Sequence, residues 1–312
     1  MPDDTKSPMF FIKSFVSGGI SGMTSKTAIA PLERLKILLQ AHNKHYKQFG
    51  VFSGLLAVYK REGFLGFYKG NGAMMVRIFP YDSIKFMSYE QYKKLTAHYL
   101  GPKSHAGKLM NGALAGVTAV SCTYPLDMIR ARLAFQVTGE HIYTGIIDAI
   151  KTIVRKEGGI KALYRGYTPT ILGMIPYGAL SFYTFENMKY ICLTYAPNIL
   201  GKRSAATDEI VLRVPASLLC GALGGAIAQT ISFPLDVSRR RMQLAMVLPD
   251  SKDFSNVFRT LRTVYRQNGI VKGLYRGLSI NYLRVVPQVA VSFATYELMK
   301  QIFHLKTGIQ KN

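Results

Sequence analysis

Three short motifs each recur three times, in phase, along the 312-residue chain. The first reads PLERLK at Pro31–Lys36, PLDMIR at Pro125–Arg130 and PLDVSR at Pro234–Arg239. The second is YKG at Tyr68–Gly70, then YRG at Tyr164–Gly166 and at Tyr275–Gly277. The third is YEQYK at Tyr89–Lys93, FENMK at Phe185–Lys189 and YELMK at Tyr296–Lys300. Successive motif prolines are 94 and 109 residues apart, and the other two motifs step by 96 and 111. The chain is one unit written three times, over residues 10–100, 105–196 and 211–303. That period is too long for a solenoid.

Each unit reads as helix, loop, helix. Mostly apolar runs cover 10–30, 72–93, 108–130, 167–189, 211–239 and 278–300. About 20 such residues suffice to cross a hydrocarbon core. A polar stretch with a short amphipathic pattern, first seen in FSGLLAVYKREG, lies between the two runs of each unit. The predicted fold is therefore an all-α membrane protein. Six transmembrane helices form three pseudo-threefold repeats around a central cavity, each repeat with one short extra helix. Glycines spaced by four (Gly18 and Gly22, Gly112 and Gly116, Gly221 and Gly225) hold one position in all three repeats and predict close helix packing.

Composition narrows the function. With 48% hydrophobic and 18% charged residues, the chain can bury a core and is not intrinsically disordered. Its three cysteines, Cys122, Cys192 and Cys220, are odd in number and lack C-x-x-C spacing, which excludes a secreted disulfide scaffold. The net charge of +23 suits nucleic acid, an anionic membrane surface or an anionic small molecule. The first residues, MPDDTKSP, resemble neither a cleaved secretory signal nor an Arg-rich presequence, so targeting is expected to be internal.

The charges follow the repeat. Pro31, Pro125 and Pro234 interrupt helical patterns and are predicted to kink the odd-numbered helices. Two residues on stands an acid (Glu33, Asp127, Asp236), and three beyond it a base (Lys36, Arg130, Arg239). Positions i and i+3 share a helix face, so a local pair on each helix is one reading. The other is a ring in which each acid pairs with the next helix's base: Glu33–Arg130, Asp127–Arg239 and Asp236–Lys36. Gln40 and Gln243, nine after their prolines, are placed to brace it, and Ala134 holds that position in the second repeat. The even helices carry a second set, Glu90/Lys93, Glu186/Lys189 and Glu297/Lys300. Ionisable groups inside a membrane protein are costly and usually functional. Two charged rings at opposite ends of a bundle suggest two gates and alternating access.

The patterns P-x-[DE]-x-x-[KR], [DE]-G followed by [YF]-[KR]-G, and [FY]-[DE]-x-x-[KR], three times over, resemble the mitochondrial carrier family. The resemblance covers roughly residues 10–303. Two departures stand out: Gly158 and Gly269 lie one residue further from their tyrosines than Gly63 does, and Asn268 replaces an acid in the third repeat. The resemblance implies six tilted helices, three short matrix helices, the inner mitochondrial membrane, termini in the intermembrane space and solute transport without ATP hydrolysis. It also names the two charged sets: the proline-motif set is the matrix gate, the other the cytoplasmic gate.

Where the repeats differ, the site can recognise an asymmetric solute. Seven residues after each Y-x-G glycine stand Arg77, Gly173 and Arg284. Five before each proline stand Lys26, Val120 and Gln229. The first three fall on the family's substrate-contact points, and Gly173-Met174 is similar to the pair in carriers of adenine nucleotides. Physically, Gly173 opens a recess and Met174 offers a polarizable face for a purine. Arg77, Arg284 and Lys26 suit phosphates, the arginines as two-pronged donors. Arg240, within Arg239-Arg240-Arg241, is a further phosphate contact or a basic lining of the matrix mouth. The broken triplet continuation Met242-Gln243-Leu244 departs from the ADP/ATP exchangers. Segments such as LLQAHNKHYK and QTISFPLDVSRRRMQL resemble the coenzyme A carriers of the family.

The expected substrate is thus coenzyme A or a related adenine nucleotide moving into the matrix. A general adenine nucleotide exchanger (of ADP/ATP, ATP-Mg/phosphate or phosphoadenosine phosphosulfate) and a proton or fatty-acid anion carrier are the alternatives. No catalytic order, P-loop or metal spacing is present in the sequence, so neither an enzyme, a cofactor nor a metal is expected. Nucleic acid is not expected as a partner, because it gives no reason for six apolar helices. Membrane lipid is expected, cardiolipin included, and the functional unit is expected to be a monomer.

Overall fold

The computed structural model describes residues 8–100, 105–203, 210–248 and 254–303. The N-terminal segment read above as lacking a leader, and both chain ends, lie outside them. Six long helices dominate: α1 (Pro8–Gln40), α3 (Asn71–Leu100), α4 (His105–Phe135), α6 (Tyr167–Tyr195), α8 (Val214–Leu244) and α10 (Leu278–Ile302). Short amphipathic helices α2 (Val51–Glu62), α5 (Ile146–Lys156) and α9 (Val257–Asn268) sit inside the three repeats. A single turn, α7 (Pro197–Leu200), precedes two short strands, β1 (Gly201–Arg203) and β2 (Ile210–Leu212), paired antiparallel in the longer link before the third repeat.

The helices outrun their apolar cores. Each odd-numbered repeat helix continues past its motif proline, to Gln40, Phe135 and Leu244. A proline in a helix removes one hydrogen bond, but the flanking turns hold the rest. Among the described residues, one helix, over Pro215–Val247, is apolar enough to read as a membrane span on hydropathy alone, at 1.5. The others carry charges along their length, as α1 does at Lys26, Glu33, Arg34 and Lys36.

The described chain forms two compact units. One holds α1 to α5, the end of α8 from Gln243 and α10 from Ser279; the other holds α6, α8 to Met242 and α9. In the first unit the core gathers at the far ends of α1 and α4. Ile37, Leu38, Val58, Ala131, Ala134 and Leu244 form one cluster, and Ile129, Ala149, Ile153 and Leu163 another. Burying each large aliphatic side chain stabilises by about 1.5–3 kcal/mol.

Buried arginines fasten these ends. Arg34 donates from Nη2 to Glu62 Oε1 and Oε2 at 2.8 Å, from Nη1 to the Gly66 carbonyl, and from Nε to the Ala134 carbonyl at 3.1 Å. Arg132 repeats the arrangement one repeat on: Nη2 donates to Glu157 at 2.8 Å and Nε to the Gln243 carbonyl at 2.7 Å. In the first two repeats the base of the Y-[KR]-G motif joins the same acid: Lys69 meets Glu62 at 2.6 Å, and Arg165 meets Glu157 at 3.0 Å. Burial by itself raises the Glu62 carboxyl. The hydrogen bond from Lys69 and the Arg34 charge outweigh it, so Glu62 is held below its ordinary 4.5. The same contact, with burial leading, raises the Tyr46 phenol, whose hydroxyl donates to Glu62 at 2.8 Å.

A depressed carboxyl stabilises the fold fully above its ordinary value, and that stabilisation is lost as pH falls through the folded value. Glu62→Gln is therefore expected to lower the thermal midpoint at neutral pH. The gap from the unsubstituted chain should close on acidification below 4.5. An equal gap at every pH would show that Glu62 contributes by shape alone.

The motif glycines have a backbone reason. Gly70, Gly166 and Gly277 all take left-handed φ values, +81°, +84° and +90°. A Cβ on Gly70 would also stand 2.9 Å from the Arg130 carbonyl oxygen. Gly70→Ala is expected to cost about 1–2 kcal/mol from backbone strain, and more from that clash, read as a lower melting temperature.

Two sequence readings shift register. The glycine that equals Gly63 (φ +70°) in the second repeat is Gly159 (φ +78°), so the doubled Gly158-Gly159 absorbs the extra residue. The third repeat absorbs it differently, through one turn of π-helix over Ile270–Leu274, where the others use 3-10 turns. The glycines that meet a neighbouring helix are the predicted set only in part: a Cβ at Gly22 would stand 3.6 Å from Ile78 Cγ2 on α3. A Cβ at Gly18, Gly112, Gly221 or Gly225 meets nothing within 4 Å. At Gly19 it would run into the Phe79 ring, and at Gly224 it would stand 3.2 Å from the Ser181 carbonyl oxygen.

Candidate transport site

Two carboxylates organise the first unit's charged interior. Glu33, two residues past Pro31 on α1, is met by the Arg130 guanidinium of α4. Its Oε1 accepts from Arg284 Nη1 of α10 at 2.8 Å and from Lys26 Nζ, two turns back on its own helix, at 3.3 Å. Asp127 on α4 is approached by Arg77 Nη1 of α3 at 3.4 Å and accepts from Gln243 Nε2 at 3.0 Å. The Gln243 amide also donates to the Tyr124 hydroxyl at 3.1 Å. Lys36 Nζ donates to Asn281 Oδ1 on α10 at 2.9 Å.

The helical period explains these meetings. A residue five before the proline lies two turns from the acid two after it, on the same face. Lys26 reaches Glu33 in this way, and Gln229 reaches Asp236 at 2.9 Å in the second unit. Val120 has no donor to offer, and in that repeat Arg77 approaches the acid from α3. The even helices follow a rule of their own: the residue seven after the Y-x-G glycine faces the next repeat's acid. Arg77 faces Asp127, and Arg284 faces Glu33. Gly173 sits beside α8 at Leu235, the neighbour of Asp236, where a Cβ would stand 3.5 Å from Leu235 Cβ. It leaves a gap where the other two repeats have an arginine.

In these contacts four cations meet two carboxylates. Two unit charges 4 Å apart interact by about 4 kcal/mol at an effective dielectric constant of about 20. The surplus positive charge is thus favourable for a polyanion. The carboxylates are the buried partners: the Glu33 side chain is 6% exposed, against 25% for Arg284 and 22% for Lys26. Arg77 is held from two more sides, with Nε 3.4 Å from Thr123 Oγ1 and its guanidinium 4.9 Å from the Tyr81 ring centroid.

The other sequence-predicted residues fall into groups. Glu33 and Arg130 are brought together, while Asp127–Arg239 and Asp236–Lys36 involve residues of different units and remain part of the proposal below. Gln243 contacts an acid of the set directly, and Gln40 is buried at the end of α1. Gly173, Met174, Arg239 and Arg240 are half-buried. The second set pairs locally on each helix: Glu90–Lys93 at 3.7 Å, Glu186–Lys189 at 3.6 Å and Glu297–Lys300 at 2.9 Å.

Sequence reading missed Arg34, Arg132 and Asn281, and a pair of ring stacks. Tyr124 stacks on Tyr164 at 5.8 Å, and Phe233 on Tyr275 at 6.2 Å. In both, the aromatic residue before the motif proline covers the tyrosine of its own repeat's Y-R-G. That spacing was available, but the first repeat hides it by carrying Ala30. Among the described residues no cluster of three or more His, Cys, Asp or Glu suits a metal.

Residues 7–100, 101–196 and 211–307 each match the family described as mitochondrial carrier protein. Solute carrier family 25 member 16 of Bos taurus is 59% identical over 297 residues, covering 95% of this chain and 90% of its own. The mitochondrial coenzyme A transporter SLC25A42 of Homo sapiens is 42% identical over 301 residues, with the same shares covered. The mitochondrial carrier protein CoAc2 of Zea mays is 40% identical over 305 residues, 93% of this chain and 86% of its own. With three family matches spanning its repeats, the chain belongs to the mitochondrial carrier family, as a multi-pass solute transporter of the inner mitochondrial membrane and not an enzyme.

Proposed function

We propose that the chain moves coenzyme A, or a closely related adenine nucleotide, into the mitochondrial matrix. The observation that carries this reading is the pair of arginines, with Lys26, converging on two buried acids, while the sequence offers glycine at the equivalent point of the second repeat. Coenzyme A has a pyrophosphate and a 3′-phosphate for the cations and an adenine for the Gly173-Met174 recess. The printed name of the relative SLC25A42, a mitochondrial coenzyme A transporter, supports the same substrate.

The mechanism follows from competition. In the empty carrier Glu33 and Asp127 hold the cations that the substrate needs. Phosphates entering the site draw Arg284, Lys26 and Arg77 away, and the matrix-side set of Glu33, Lys36, Asp127, Arg130, Asp236 and Arg239 loosens. The second set, now paired along its own helices, then re-pairs between helices and closes the other side. Both termini face the intermembrane space, a monomer suffices, and anionic lipid such as cardiolipin surrounds the helices.

The test is uptake into proteoliposomes by the purified chain. Labelled coenzyme A, dephospho-coenzyme A, adenosine 3′,5′-diphosphate, ADP and ATP are compared, with the internal counter-substrate varied. Saturable coenzyme A uptake is expected. Uptake of ADP and ATP alone would move the chain to the general nucleotide exchangers, and uptake of none would overturn the adenine recess.

A further inference from the structure

At Gly224, α8 comes against α6 with no side chain between them: a Cβ there would stand 3.2 Å from the Ser181 carbonyl oxygen and 3.4 Å from the Phe185 nitrogen. One turn back from Gly224 along α8 lies Cys220, and two turns on from Phe185 along α6 lies Cys192. Their Sγ atoms are 3.8 Å apart and both thiols are free. Cys220 is buried and Cys192 partly exposed. The pair therefore has one sulfur that a reagent can reach and one protected beside it, the arrangement of an attacking and a resolving thiol. Cys192 also lies one turn beyond Lys189, whose partner Glu186 is 3.6 Å away. The pair thus sits at the end of α6 that carries the second charged set. The third cysteine, Cys122, is exposed on α4.

We propose that Cys192 and Cys220 are a redox pair, and that their oxidation by a small-molecule disulfide ties α6 to α8 and arrests transport. In the first step the Cys192 thiolate attacks one sulfur of the oxidant, forming a mixed disulfide and releasing one thiol. The Cys220 thiolate then attacks Cys192 Sγ, closing the protein disulfide and releasing the second thiol. Two protein thiols lose two electrons and two protons, and the oxidant becomes two thiols. A disulfide holds its sulfurs about 2.05 Å apart, so closure needs only a short approach of two side chains already in contact. Once linked, α6 and α8 cannot part. The proposed re-pairing of Glu186 and Lys189 between helices requires the end of α6 to move, so the arrest rests on the alternating-access reading above.

The experiment uses the full chain in proteoliposomes, first reduced and shown to take up adenosine 3′,5′-diphosphate, a thiol-free substrate that cannot itself reduce the link. If the reduced protein takes up ADP or ATP better, that nucleotide, also thiol-free, is used. Failure of the substrate reading appears at this stage and is distinct from failure of the redox pair. Oxidised glutathione is then added, and alkylated peptides are read by mass spectrometry alongside uptake. The expected result is a Cys192–Cys220 linked peptide with Cys122 still alkylated. Uptake should fall in proportion to the linked fraction and return with dithiothreitol. C192S and C220S should each keep their uptake in the oxidant, and C122S should still be inhibited. No linked peptide, or a link that leaves uptake unchanged, overturns the proposal.

Discussion

Glu33→Gln is expected to abolish uptake while making the empty carrier bind its substrate more tightly. The glutamine keeps the shape of the side chain and removes the charge on which Arg130, Arg284 and Lys26 converge. The matrix-side set then lacks an acid that three cations meet and does not re-form after release. Arg284 and Lys26 are meanwhile released to a phosphate. Close charge pairs couple by about 1.5 kcal/mol or more, so losing the competing carboxylate is worth roughly tenfold in substrate affinity. Binding and transport move in opposite directions, which general destabilisation cannot produce. Equilibrium binding and proteoliposome uptake on one preparation check both halves.

The second large effect is expected at the arginines. Arg284→Ala removes a two-pronged phosphate donor, and it also leaves Glu33 with one cation fewer. Truncating one partner of a buried hydrogen-bonded charge pair costs about 2–5 kcal/mol. That corresponds to a loss of roughly thirtyfold or more in uptake at limiting substrate. Arg77→Ala is expected to be as severe, because Asp127 keeps Gln243 but loses its approach from α3. Arg284→Lys should recover only a little, since a lysine supplies charge without the fork. Normal uptake by either alanine variant, in vesicles shown to contain inserted protein, would remove these residues from the site.

Much of this was readable in the sequence because it lies along single helices or repeats at one offset. The six long helices, the three short ones and the positions of Arg77, Gly173 and Arg284 follow from periodicity and from counting between motifs. What periodicity does not carry is which residue on a face touches the neighbouring helix. Every fourth residue of α8 shares a face, yet it is Gly224 and not Gly221 or Gly225 that meets α6. Arg34 was hidden for a related reason. It stands three after its proline, whereas Arg132 stands seven after, so the same contact with the repeat's acid is made from different positions. The two sets described in sequence terms as substrate residues and gate residues were legible one by one. Their union on Glu33 was not, because a contact between α1, α4 and α10 leaves no trace in the spacing of any one of them.

Substrate affinity in Glu33→Gln reads that union out. Titration of coenzyme A into the detergent-solubilised variant and the unsubstituted chain, by calorimetry or by ligand-dependent thermal stabilisation, gives the two dissociation constants. Tighter binding by the variant, with uptake lost, is the predicted result. Binding that weakens together with uptake would contradict the account, because Glu33 would then be supporting the substrate rather than competing for its cations.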